Sequence, residues 1–525
     1  MQNTIQNLGR LAPAAAVFCL FANCAHPVKI KEQWGAAIGT GVDLQKAEQI
    51  WTRLKNGEIS SPAELDSYNG IVTESVRQIG RNWSSDKTAL SSLRTRQGTV
   101  SIDVDASTIR NVGEVNYLVP ADFINIRRGL RETVKVEGAG SSLIARRGKT
   151  SDDPLISENG LWFPLTAVLD LDVPARPVLH LIDPTRHSQL EFPAGFFPLE
   201  ANYSAFIARD FQDRQLQILG VPAMLKYQKF EDRMGIRRIS TFSPEKKAVI
   251  LVHGINSSPA TWNNTVNEMM ADPFVREKCE LWTFGYPSGA PIPFLAKELR
   301  NSVREMCEFR ERNGASDPGI TLVGHSMGGL LSKTLTQSSG DENWSLVFSV
   351  PHEQLKLQEK EKTVIREMFY FEPNPHVEKI IFISTPHRGS SLAERPAVKL
   401  VSDLVQMPTT LIKLSADIFN MNTGVLTPLG QQITRESSSS IDQLRSDSEF
   451  SQIFRDMPLN PAVRYYSIIG GKNLGQGSLV ESSDGVVPYT SSHIDQVESE
   501  LVVESDHGAH KTKKGIAEII RILKE

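Results

Sequence analysis

The stretch Ile320-Thr321-Leu322-Val323-Gly324-His325-Ser326-Met327-Gly328-Gly329 decides the fold of this chain. Its first four residues form an apolar strand, and Leu330 to Gln337 continues with helical spacing. Between them, Gly324-x-Ser326-x-Gly328 is the pattern of a serine on a sharp strand-to-helix turn, where glycines leave the backbone free to take a strained path. The triplet alone is weak, since about 0.2 such matches arise by chance in a chain of this length at ~7% each of Gly and Ser. Its setting, after a strand and at the opening of a helix, gives it weight.

Working outward, strand-like and helix-like segments alternate from Lys246 onward. Strands are expected at 248–252, 280–284, 320–323, 379–383, 464–469 and 501–503, with helices at 259–277, 294–312, 330–337 and 514–524. This alternation predicts an α/β fold, a mostly parallel sheet with helices on both faces, over 246–525. Two long inserts, about 339–378 and 391–460, interrupt it. The second carries an apolar stripe over 398–420, which either packs on the domain or covers a pocket as a lid. Upstream, 43–82 has helical spacing and short β-like runs begin near 99, such as 100–104, 165–169 and 178–182. Residues 26–245 therefore form an N-terminal helical and β-rich region whose role the sequence does not disclose.

A serine hydroxyl is a poor nucleophile until a base takes its proton, and the resulting imidazolium needs a carboxylate to orient it. Asp484 follows the strand at 464–469 and its Gly-rich turn, and His507 follows the strand at 501–503. The order Ser326, Asp484, His507 is then serine, acid, base. His510, in the same loop, is a rival base; His507 is preferred because it lies nearer the strand end. Two backbone N–H donors are needed for a developing oxyanion. Met327, the residue after the serine, supplies one, and Ile255, after the strand at 248–252 and Gly254, is chosen for the other. His253 is read as a brace of that loop, and 385–389 as a structural loop near the site.

The chain has 525 residues, 40% hydrophobic and 22% charged, with 57 basic against 61 acidic side chains and a formal net charge of −4. That is a globular composition, and it argues against a nucleic-acid binder, which needs a basic face. Four cysteines exclude a disulfide scaffold, and no Cys-x-x-Cys or His-Glu-x-x-His spacing calls for a metal. No cofactor is expected either. If Cys24 is processed with its leader, Cys279 and Cys307 remain, and free buried thiols are the simpler expectation than a pair.

The motifs VHG at 252–254, GHSMGG at 324–329, STPHRGS at 384–390, SDGVVP at 483–488 and DHGAH at 506–510 together resemble α/β-hydrolases of the lipase and esterase type. The stretch 281–292 is similar to a segment of bacterial, often lipoprotein-like, members with an N-terminal extension. The resemblance covers about 246–525. It implies an α/β-hydrolase fold and hydrolysis of an ester or lipid substrate through an acyl-enzyme, with the family's nucleophile, acid, base and oxyanion donors falling on Ser326, Asp484, His507, Ile255 and Met327. An acyltransferase or phospholipid-remodelling enzyme on the same triad, and a non-catalytic scaffold, are the competing readings. Leu11 to Ala25 is a short apolar stretch after Arg10, too short to span a membrane. It fits an export signal over 1–25, and Leu20-Phe21-Ala22-Asn23-Cys24 resembles a lipoprotein signal, with Cys24 as the lipidated residue. Phe21 and Asn23 depart from that signal's usual residues. Export with membrane attachment through Cys24 is the resulting expectation, against a cytoplasmic protein.

Overall fold

The computed structural model describes residues 28–34, 41–80, 92–109, 115–213, 233–316, 319–390, 407–431, 439–446, 448 and 457–525. The expected leader, Cys24 and much of the second insert lie outside these residues. Among the described residues, no helix is long and apolar enough to cross a membrane.

A seven-stranded sheet organises the C-terminal half. Its strands are β1 (Gly235–Arg238), β2 (Lys247–Val252), β3 (Cys279–Gly285), β4 (Ile320–His325), β5 (Val377–Ile383), β6 (Arg464–Gly471) and β7 (Ser499–Glu504), in the order β1-β3-β2-β4-β5-β6-β7. All neighbours are parallel except β1, which pairs antiparallel with β3. The central strands β2, β4 and β5 are apolar on both faces, and alternation divides their residues between two cores. Ala248, Ile250 and Val252 of β2 enter one, with Ile380 and Phe382 of β5; Val249 and Leu251 enter the other, with Ile381 and Ile383. Such a strand reads as a continuous apolar run because neither face meets water. The helices α1 (Ile292–Arg312), α2 (Met327–Lys333), α3 (Thr409–Asn422) and α4 (Lys513–Lys524) cover the sheet or its inserts.

Three elements differ from the sequence pattern for local reasons. The helix expected at 259–277 is a short 3₁₀ turn, Pro259–Trp262, then helices Asn263–Met269 and Pro273–Lys278. Pro273 has no N–H to continue the first helix, and the Asp272 carboxylate caps the next by accepting from the Phe274 amide. The helix after Ser326 stops at Lys333 rather than Gln337. There the hydroxyls of Ser332, Thr334 and Thr336 donate back to the carbonyls of Gly328, Leu331 and Lys333, an alternative to the helical ladder. The run 100–104 divides because Gly98–Ser101 pairs with Ser92–Thr95 while Asp103–Asp105 pairs with Val178–Ile182.

In the N-terminal region, helices Leu44–Lys55 and Pro62–Gly80 bury Trp51, Leu54, Tyr68, Val72 and Val76 against a five-stranded sheet. That sheet runs Asp103–Asp105, Val178–Ile182, Leu161–Asp170, Ser141–Arg147, Val115–Pro120. The region does not stand apart from the C-terminal sheet. Phe206, Ile207 and Phe211 of the helix Tyr203–Asp213 pack in one core with Val249, Leu251, Trp262, Val266 and Ile519. Strand β1 also comes from before residue 246, and its Arg238 is wholly buried. Asp153 binds Arg238 at 2.5 Å and also Arg147, while Phe242, Trp282 and Phe309 lie against the Arg238 guanidinium. Removing the partner of a buried charge typically costs ~3–5 kcal/mol. Asp153→Ala, which removes the carboxylate shared by two buried guanidiniums, is therefore expected to lower the free energy of urea unfolding by about that amount. A fragment beginning at 246 lacks β1 and one wall of a core, and it is expected to be insoluble when expressed alone, as sedimentation of the lysate would show.

Candidate active site

Ser326 stands between β4 and α2, at the carboxyl ends of the central strands, where ligands bind in open α/β sheets. Its backbone has φ 54° and ψ −128°, a conformation that costs a non-glycine residue about 1–3 kcal/mol. Close packing maintains it. The Ser326 amide donates to the Ile383 carbonyl on β5 at 2.8 Å. A side chain on Gly328 would place its Cβ 2.3 Å from the Val252 carbonyl oxygen, and one on Gly254 would reach to 2.9 Å from the Ser326 Cβ. The start of α2 therefore lies directly on the backbone that leaves β2.

The loops after β6 and β7 bring Asp484 and His507 together. His507 Nδ1 lies 2.6 Å from Asp484 Oδ2, and the acid is almost fully buried. The other carboxylate oxygen accepts from the amides of Val486 and Val487, both at 2.8 Å. Burial alone would raise the Asp484 carboxyl; the adjoining His507 and those two amides outweigh it and hold the acid below its ordinary range. The ionised carboxylate accepts the Nδ1 proton, which leaves the His507 Nε2 lone pair as the basic position.

His510 stands elsewhere. It is wholly buried, with Nε2 2.9 Å from Thr261 Oγ1, and its ring lies against Trp262. Met327 opens α2, so its N–H is one of the unpaired donors at a helix start. Ile255 follows Gly254 in the turn beyond β2. Neither amide donates a hydrogen bond to any described residue. His253 stacks on Tyr286 at 4.1 Å with Nδ1 2.9 Å from the Gly254 carbonyl oxygen, so it braces this loop, and burial lowers it to about 4.

Other braces were not singled out from sequence. The Tyr286 hydroxyl donates to the His253 carbonyl, and Ser288 Oγ accepts from the Asn256 amide at 2.9 Å. Both follow β3, and an aromatic and a hydroxyl just beyond a buried strand are the signal that was available. The 385–389 loop clasps the acid's loop. Arg388 donates to the carbonyls of Thr490 and His493, and Ser390 Oγ donates to the Val486 carbonyl at 2.7 Å. In the second insert, α3 packs Leu411, Leu414 and Ile418 into the core; the remainder of the stripe, 398–406, lies outside the described residues. Cys279 and Cys307 are both free thiols. Among the described residues, no group of three or more His, Cys, Asp or Glu is placed to hold a metal.

Residues 243–416 match the sequence family described as "Putative serine esterase (DUF676)". The strand order, the serine elbow and that match agree. The C-terminal half has the α/β-hydrolase architecture, a mostly parallel sheet with a serine elbow at the carboxyl ends of its strands. No curated protein matches the chain. Among solved structures, the mature lipase BlEst2 of Bacillus licheniformis is 17% identical over 54% of this chain and 94% of its own, with a TM-score of 0.31. EstA of Clostridium botulinum is 16% identical over 58% of this chain and 96% of its own, TM-score 0.33. Lipase 1 of Pelosinus fermentans is 13% identical over 53% and 98%, TM-score 0.33. The reading of the site rests on the geometry described above.

Burial also holds His325, His387 and His510 of the hydrolase domain well below the usual histidine range, like His253. A histidine with a depressed folded-state pKa binds its proton more readily when unfolded, so stability falls as pH drops below about 6.5. Each such group contributes up to ~1.4 kcal/mol per pH unit in that window. Urea midpoints are expected to fall between pH 7 and pH 5. His387, whose two ring nitrogens have no hydrogen-bond partner among the described residues, is the clearest single case: His387→Leu should flatten that pH dependence.

Proposed function

We propose that the hydrolase domain cleaves carboxylic esters through an acyl-enzyme on Ser326. The observation that carries this reading is the 2.6 Å pairing of His507 with buried Asp484 at the strand ends that also bear the strained Ser326. In this scheme Ser326 Oγ attacks the ester carbonyl carbon and passes its proton to His507 Nε2. Asp484 stabilises the imidazolium. The amides of Met327 and Ile255 stabilise the tetrahedral oxyanion, each donor being worth about 3–4 kcal/mol in comparable sites. His507 then returns the proton to the leaving alcohol oxygen, and water attacks the acyl-enzyme by the same route to release the acid.

The substrate is an ester or a lipid, in line with the lipase and esterase names of the similar proteins. Export and attachment to a membrane through lipidated Cys24 belong to the same proposal, supported by the apolar stretch that precedes that residue. One acyl chain binds a bilayer only marginally, so a second contact is needed for stable attachment. Fractionation of cells expressing Cys24→Ser tests this: the variant is expected to leave the membrane fraction, and unchanged association refutes the lipid anchor.

A fluorophosphonate probe is expected to label the wild type and not Ser326→Ala. The kcat of Ser326→Ala and of His507→Ala on a p-nitrophenyl ester should fall by about 10⁴-fold or more. His510→Ala, judged on its folded fraction, should keep most of the activity. A folded wild type without Ser326-dependent labelling refutes the serine hydrolase mechanism.

A further inference from the structure

We propose that His325 is a positioning residue, holding the loop of the base at a fixed distance from Ser326; the proposal rests on the ester-hydrolase reading above. His325 ends β4 and directly precedes the nucleophile. Its Nε2 lies 2.8 Å from the backbone carbonyl oxygen of His507. A carbonyl oxygen only accepts, so His325 Nε2 carries the proton and Nδ1 carries the lone pair. Nδ1 is buried and has no hydrogen-bond partner among the described residues. The ring therefore serves one hydrogen bond, directed at the backbone of the base.

The ring also lies, tilted, against two other imidazoles. Its centroid is 4.8 Å from that of His507 and 4.0 Å from that of His510. His510 in turn is tied to the outer helices: its Nε2 meets Thr261 Oγ1, and its carbonyl accepts from Thr265 Oγ1 at 2.8 Å. The loop after β7 is thus anchored on its outer side through His510 and on its inner side through His325. Asp484 fixes the direction of the His507 ring, while His325 fixes the position of the His507 backbone. The inner bond joins the residue before the nucleophile to the base itself. A base displaced by about 1 Å loses roughly 10²-fold in rate, because proton transfer depends on distance and alignment.

Packing and hydrogen bonding are separable by substitution. Phenylalanine fills the space between the two imidazoles without a donor. Glutamine fills it less well, yet its amide nitrogen reaches about as far as Nε2. We therefore compare His325→Phe with His325→Gln on a soluble short-chain p-nitrophenyl ester, with kcat expressed per site titrated by fluorophosphonate. His325→Phe is expected to lower kcat about 10- to 100-fold with KM within about twofold of wild type. His325→Gln is expected to restore kcat to within about fivefold. If His325→Phe does not fold, His325→Asn, polar but too short to reach the His507 carbonyl, replaces it with the same expectation. Unchanged kcat in the donor-less variant, or His325→Gln as slow as that variant, overturns the positioning role while wild-type labelling leaves the hydrolase reading intact. A folded wild type that neither labels nor turns over ester overturns both.

Discussion

The site depends on a contact between two backbones. The first turn of α2 lies on the carbonyls that end β2, so close that Gly328 has no room for a methyl group. That contact holds Ser326 in its strained turn and sets the Met327 amide beside the turn that carries Ile255. The strain at Ser326, of order 1–3 kcal/mol, persists because surrounding bonds over-determine it. The Ile383 carbonyl fixes the serine amide from one side, and Tyr286 and His253 stiffen the β2 exit from the other. Everything the serine is proposed to do requires this arrangement before a substrate arrives.

The acid and base are assembled on the same plan. Each lies just beyond the carboxyl end of a parallel strand, and each is tied to the chain next to it rather than left on a free loop. Arg388 and Ser390 hold the loop of Asp484 from β5, and His325 meets the loop of His507 from β4. Rigid strands thus fix loop positions through side chain to backbone bonds, which is how loops come to carry precise geometry.

The C-terminal sheet was legible in the sequence because its strands are buried on both faces and read as unbroken apolar runs. Ser326, Asp484 and His507 were chosen by their places after such strands, and the structure brings the last two together. His507 was preferred to His510 only for its place nearer the strand end, which gives no orientation; the structure pairs His507 with Asp484 and His510 with Thr261. Strand β1 was hidden because Arg237 and Arg238 make it look like an exposed linker. Its burial depends on Asp153, distant in sequence, and no local pattern records that. The braces Tyr286, Ser288 and His325 were missed for the same reason: their partners are carbonyls and amides, which carry no residue signature.

The shared core bears on the order in which this protein can fold as it is made. The helix Tyr203–Asp213 presents Phe206, Ile207 and Phe211, but its partners Trp262 and Val266 emerge from the ribosome later, and Ile519 of α4 later still. Val119, Ile144 and Trp162, made earlier, cover part of this apolar surface, and the later elements complete it. Domains usually fold as units in the order of synthesis. Here the last wall of a core begun in the first half is supplied by an element made near the other end of the described chain.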